Sequence, residues 1–111
     1  MKISELAKCL ELECLTKSDF EDREITGGYC GDLLSWVMGK AKPGNVWITI
    51  MSNVNIVAVA SLTETACILL AEQVTPEREI LQKADEQGVV IFRSSKPSYL
   101  LAAEVFQAVG R

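Results

Sequence analysis

The sequence contains no histidine, and aromatic residues make up only 6% of it. Imidazole is the commonest general base and the usual partner of a nucleophilic serine or cysteine, so both Ser-His and Cys-His catalysis are excluded. Cysteine occurs four times, at positions 9, 14, 30 and 67, with no Cys-x-x-Cys pair. A zinc site would have to be assembled from irregularly spaced thiolates, contrary to the usual ligand spacing, so no metal or other cofactor is expected. The four thiols read instead as reduced, mostly buried small hydrophobes.

Long hydrophobic runs are also missing. The longest, residues 56–60, is far too short to span a bilayer. The opening segment, MKISELAKCLELECL, has no continuous apolar stretch and carries Glu5, Glu11 and Glu13, so it is not expected to be a signal peptide, and a cytoplasmic location is the default. Clustered positive charge is absent as well. The 11 basic residues are scattered in a chain of net charge −4, with Lys17, Lys40 and Lys42 the nearest approach to a patch. Nucleic acid and anionic membranes both demand a basic stripe, and neither is expected as a partner.

What is present is one ordinary domain. A chain of 111 residues with 49% hydrophobic content can build one core, spanning residues 1–111. It buries only about 60–70% of the surface of its unfolded chain, which makes self-association, as a homodimer, a natural source of further stability.

Apolar runs alternate with amphipathic segments. Ile3, Leu6, Ala7 and Leu10 recur at helical spacing, and residues 11–15 alternate as an edge strand would. Residues 16–23 are polar and read as a loop, followed by a brief extended piece over 25–29. Gly27, Gly28 and Gly31 bracket Tyr29 and Cys30, a glycine-rich turn feeding a helix with Gly31 or Asp32 as its N-cap. Gly39 and then Pro43-Gly44 stop that helix. Residues 46–50 (VWITI) are a buried strand. Ser52 and Asn53 offer cap chemistry for a helix over 54–62; residues 56–59 alone could equally be a strand, but a parallel partner at 66–70 requires a crossover before it. Thr75-Pro76-Glu77 reads as a capped helix start with Gly88 as the stop. Residues 89–92 form another strand, and Pro97 opens a final helix. The expected architecture is α/β: a three-layer α/β/α domain with a mainly parallel sheet.

The glycine-rich turn is the most informative stretch. Glycines before a helix allow close backbone approach, and free N–H groups at a helix start attract anions. It matches neither the P-loop nor the dinucleotide fingerprint. A tight strand-to-helix connection is the plain alternative. Cys30, near a helix start, could have a depressed pKa, but it lacks a base. Asp22 and Arg23 could bind a ligand or pair with each other. Ser52, Asn53 and Asn55 follow a strand where parallel sheets place their crevices, although capping explains them as well. Trp36 and Trp47 suit a core or an interface. The carboxylates at 19, 21, 22, 77 and 79 lie in polar settings and read as solvated.

The stretch DREITGGYCGDLLSWVM, residues 22–38, followed by VWITI, resembles the DRTGG domain family. So do the later NIVAVA run, the CILL strand, the Pro-Glu helix and the GVVI strand, so that the likeness covers residues 10–109. It implies a three-layer domain similar to the N-terminal domain of HPr kinase/phosphorylases and to the middle region of long phosphotransacetylases. Such domains often stand beside CBS domains, which implies regulation. The P-loop domain that performs kinase chemistry in HPr kinases has no counterpart here, so no enzyme activity is expected. The resemblance implies binding roles for Asp22, Arg23, Thr26, Gly27 and Gly28, although Glu24-Ile25 interrupts the motif. With the turn and the following strand end, the candidate ligand-binding set is Asp22, Arg23, Thr26, Gly27, Gly28, Tyr29, Gly31, Asp32, Ser52 and Asn53. The expected ligand is a small anionic metabolite, such as a nucleotide. A protein-interaction subunit is the alternative, and a Cys30-dependent enzyme a minor one.

Overall fold

Strands form where β-branched and aromatic residues run together, and helices form where apolar residues recur every three or four. In the computed structural model, which describes residues 1–110, the elements are α1 (Ile3–Cys9), β1 (Glu13–Cys14), β2 (Gly27–Cys30), α2 (Leu34–Lys40), β3 (Asn45–Thr49), α3 (Asn55–Thr63), β4 (Cys67–Leu70), α4 (Arg78–Gln87), β5 (Ile91–Arg93) and α5 (Ser98–Val109).

The strands make one sheet in the order β1-β5-β4-β3-β2. β2 to β5 are parallel, and the two-residue β1 runs antiparallel along β5. Side chains alternate between faces, so each central strand feeds two cores. Val46, Ile48, Cys67, Leu69 and Phe92 point to the side covered by α1 and α5. Trp47, Ile68, Leu70 and Ile91 point to the side covered by α2, α3 and α4, where Val37, Ile56, Ile80 and Ala84 meet them. The three-layer α/β/α architecture expected from the alternation is the one observed, and the ambiguous 54–62 segment is helical.

Three local expectations need correction. The brief extended piece expected over 25–29 is a strand at Gly27–Cys30, paired residue by residue with Asn45–Ile48, so Gly27, Gly28, Tyr29 and Cys30 are not part of a turn. The helix after it begins at Leu34, with Leu33 as N-cap and no side-chain cap, so neither Gly31 nor Asp32 serves there. Nor does Thr75 cap α4. Glu77 is the N-cap, Pro76 precedes it, and the Thr75 hydroxyl bonds to the Gln73 carbonyl instead. Gly88 does end α4, in the left-handed region at φ 71°.

The cysteines are also less buried than expected. Only Cys67 is buried; Cys14 is half-buried, and Cys9 and Cys30 are exposed. The two tryptophans part company, Trp47 lying fully buried while Trp36 on α2 is 58% exposed. Among the described residues, no helix is long and apolar enough to cross a membrane.

Candidate functional site

The segment before β2 works as a seam. Asp22 accepts hydrogen bonds from both the backbone N–H and the hydroxyl of Ser4, in the first turn of α1. Those two bonds, the side-chain one foremost, hold its carboxyl below the usual aspartate pKa. Arg23 turns the other way. Its Nη1 donates to the Thr65 carbonyl at 3.0 Å and its Nη2 to the Glu64 carbonyl at 2.9 Å, capping the C-terminal end of α3. The two side chains therefore do not pair with each other. The Thr26 hydroxyl donates to the Pro43 carbonyl at 2.8 Å and accepts from the Asn45 amide at 3.2 Å.

β2 is an edge strand, bonded to β3 on one side only. Gly28 and Cys30 are exposed, and Tyr29 is half-buried in the opposite core. Gly31 gives its carbonyl to the indole N–H of Trp47 at 2.9 Å, and its own N–H donates to Ile48. Asp32 accepts from the Thr49 hydroxyl at 2.7 Å and from the Ile50 N–H at 3.0 Å, tying the loop after β2 to the end of β3. Burial, with a smaller contribution from Asp32, pushes the Cys30 thiol pKa up, the reverse of the depression expected beside a helix start. A raised pKa keeps Cys30 protonated and poorly nucleophilic at neutral pH.

Asn53 accepts from the Asn55 N–H at 2.9 Å, the capping chemistry expected of it, and Ser52 beside it is half-buried. β2, β3, β4 and β5 step one way across the sheet, so the strand order never reverses and no switch-point crevice opens beside them.

The concave surfaces lie elsewhere. A cavity of about 360 Å³ opens at the N-terminal ends of β4 and β5, lined by Arg23, Ser61, Glu64, Gln87 and Val89 among others. A groove of about 430 Å³ between α3 and α4 shares Ser61 and Gln87 with it and continues over Val54, Ala58, Leu62 and Lys83. A smaller cleft of about 180 Å³ lies between β2 and α5, lined by Gly28, Tyr29, Cys30, Ala102 and Phe106. Of the residues expected at a site, Arg23 reaches the first and Gly28 and Tyr29 the third. Sequence reasoning missed Ser61, Gln87 and Lys83, because single polar residues on helices carry no signal until packing brings them to a cavity mouth.

Arg23 has five N–H donors, and two of them are engaged with carbonyls. The remaining three are open to a ligand or water. Glu21 and Glu64 line the same cavity, and the C-terminal end of α3 adds its partial negative charge. The lining is thus net negative: the guanidinium is its one cationic donor, and a highly charged anion is opposed.

The DRTGG domain family model matches residues 5–108. The structure is similar to that of the CBS and DRTGG domains of the regulatory region of Clostridium perfringens pyrophosphatase, complexed with its activator, diadenosine tetraphosphate. The TM-score is 0.73 at 13% identity, and the match covers 96% of this chain and 46% of that one. No curated protein matches the sequence.

Proposed function

The chain belongs to the DRTGG domain family, and on that premise we propose that it is a non-catalytic regulatory module that acts by binding a small anionic metabolite and by pairing with itself as a homodimer in the cytoplasm. The observation that carries the ligand half is Arg23. It belongs to the motif the family is named for, it lines a cavity whose volume falls in the range typical of small-molecule sites, and the hydrogen bonds to Thr65 and Glu64 engage only two of its five N–H groups. Ser61 and Gln87 supply neutral hydrogen-bonding partners at the same mouth, and the apolar groove over Ala58 and Leu62 offers a place for a ring or chain. The nucleotide in the similar pyrophosphatase region supports a nucleotide-class ligand. The acidic surroundings favour a monophosphate or carboxylate over a polyphosphate.

Thermal unfolding with adenosine monophosphate, adenosine triphosphate or acetyl phosphate tests the reading, because a ligand that binds only the folded form must raise the melting temperature. A shift with the monophosphate that Gln87→Ala reduces, with the fold intact, supports it. Unchanged melting with all three probes at about 50–100 times a micromolar Kd sinks it.

The second reading is a protein-interaction subunit without a small ligand. Exposed Leu33, Trp36, Tyr99 and Phe106 favour it, and it shares the homodimer with the first.

A further inference from the structure

Resting on the homodimer part of that reading, we infer that two copies of this chain pair through the open edge of β2, with the aromatic side chains of α2 and α5 closing over the seam on its two faces.

The two edges of the sheet are treated differently. β1 is two residues long, and its Glu13 is held by a bidentate ion pair to Arg93, so that edge is short and charged. Both devices discourage strand addition. β2 has neither. It spans Gly27–Cys30, carries no charged residue, and exposes Gly28 and Cys30 with no bulk over the backbone. The outward N–H and C=O groups of an edge strand are a template for another strand.

The flanks of this edge are apolar on both faces of the sheet. On one face Phe106, 63% exposed, lines the cleft beside Gly28, Tyr29 and Cys30. Tyr99, 89% exposed, falls on the same stripe of α5 as Ala102 and Phe106. On the other face Val37 points into the core. In the right-handed crossover that parallel strands adopt, this leaves Leu33 and Trp36 on the side of α2 away from α3, toward the edge. Lys40 stacks on the Trp36 ring at 4.8 Å.

Area and charge both favour a second copy as the occupant. At the exposures given, the three aromatic side chains offer about 400 Å² per protomer, roughly half of the ~800 Å² a standard interface buries on each partner. Leu33, the alanines of α5 and the strand itself extend the patch. A two-fold interface brings the same patch of both protomers together, so a patch charged with one sign throughout would repel itself. The strand carries no charged side chain in a chain of net charge −4, and the Lys40 ammonium over Trp36 falls at the rim of the patch.

Sedimentation equilibrium and light scattering of the full chain test the pairing. The expected result is a dimer for the wild type and for Leu62→Glu, which alters an exposed apolar residue remote from this edge. Phe106→Glu and Trp36→Glu should raise the dimer dissociation constant about 30-fold or more while circular dichroism and melting of the dilute monomer stay unchanged. Amides of residues 27–30 should gain hydrogen-exchange protection as concentration rises. A wild-type chain that stays monomeric at about millimolar concentration, where even a dimer held by about 4 kcal/mol would be half formed, overturns the inference. So does a dimer broken by Leu62→Glu but not by Phe106→Glu. A monomer that still shows a ligand-dependent melting shift would sink the interface and leave the ligand-binding reading standing.

Discussion

Asp22 and Arg23, neighbours in the chain, serve opposite ends of two different helices: Asp22 receives the Ser4 N–H and hydroxyl at the start of α1, and Arg23 holds the Glu64 and Thr65 carbonyls at and just past the C-cap of α3. The motif residues thereby lock the segment leading into β2 to both helical layers of the domain. The roles call for opposite charges, since a helix N-terminus favours an anion and a C-terminus a cation.

For Asp22 the consequence is a pH dependence. Its folded pKa is lowered below the ordinary 3.8 by the bonds from Ser4, so its contribution to stability is full above that value and is lost as pH falls through the folded pKa. Urea midpoints measured from neutral pH down to about pH 2 should fall more for the wild type than for Asp22→Asn. Parallel curves for the two proteins would contradict the account.

Replacing Arg23 with alanine should destabilise the domain by about 1–3 kcal/mol, because the Glu64 and Thr65 carbonyls lose their donors. Lysine should recover only part of this, since a single ammonium cannot span two carbonyls as the guanidinium fork does. Denaturant midpoints of the three proteins give the order; equal midpoints for arginine and lysine would refute the fork.

Gly44 has φ 82°, and a Cβ there would meet the Thr26 Cγ2 at 2.7 Å. Gly44→Ala should therefore cost about 1–3 kcal/mol from backbone strain plus the clash. In combination with Thr26→Ala the added cost should shrink, because the clash goes and the strain remains. Full additivity in a double-mutant cycle would show that the added Cβ does not meet the Thr26 side chain.

The cysteines should separate by accessibility. Burial pushes the Cys67 thiol up to about 12, with smaller effects from Cys14 and Arg23, so it should resist iodoacetamide in the folded protein at neutral pH. Exposed Cys9 should be alkylated readily, and Cys30, whose thiol is also raised, more slowly. Mass spectrometry of a time course decides the order. Alkylation of Cys30 ahead of Cys9 would revive a nucleophilic role for it.

The element sequence was legible because each core strand advertises itself. VWIT and CILL, rich in β-branched and large apolar residues, are buried as expected, while Ile50, past the end of β3, is exposed; Gly88 marks a helix end through its left-handed φ. Gly27–Cys30 was legible only in part, as an extended piece over 25–29, because two glycines weaken any strand signal; the edge of β3 beside it completes the strand. Thr75 misled because Thr-Pro-Glu satisfies the rule for a cap two residues early, and its hydroxyl is engaged with Gln73 and Arg93 instead.

Composition and periodicity by themselves determined that this is one α/β domain with a mainly parallel sheet, since a chain with these alternating apolar runs can bury them in few other ways. They also removed histidine-based catalysis outright. What only the tertiary structure decided is where the polar side chains go. Arg23 finds the end of α3 forty-one residues away, Asp32 finds Thr49, and Gln87 meets Ser61 at one cavity mouth. The Arg23 and Asp32 contacts are hydrogen bonds worth about a kilocalorie each, all three placements join residues far apart in the chain, and no local pattern encodes them.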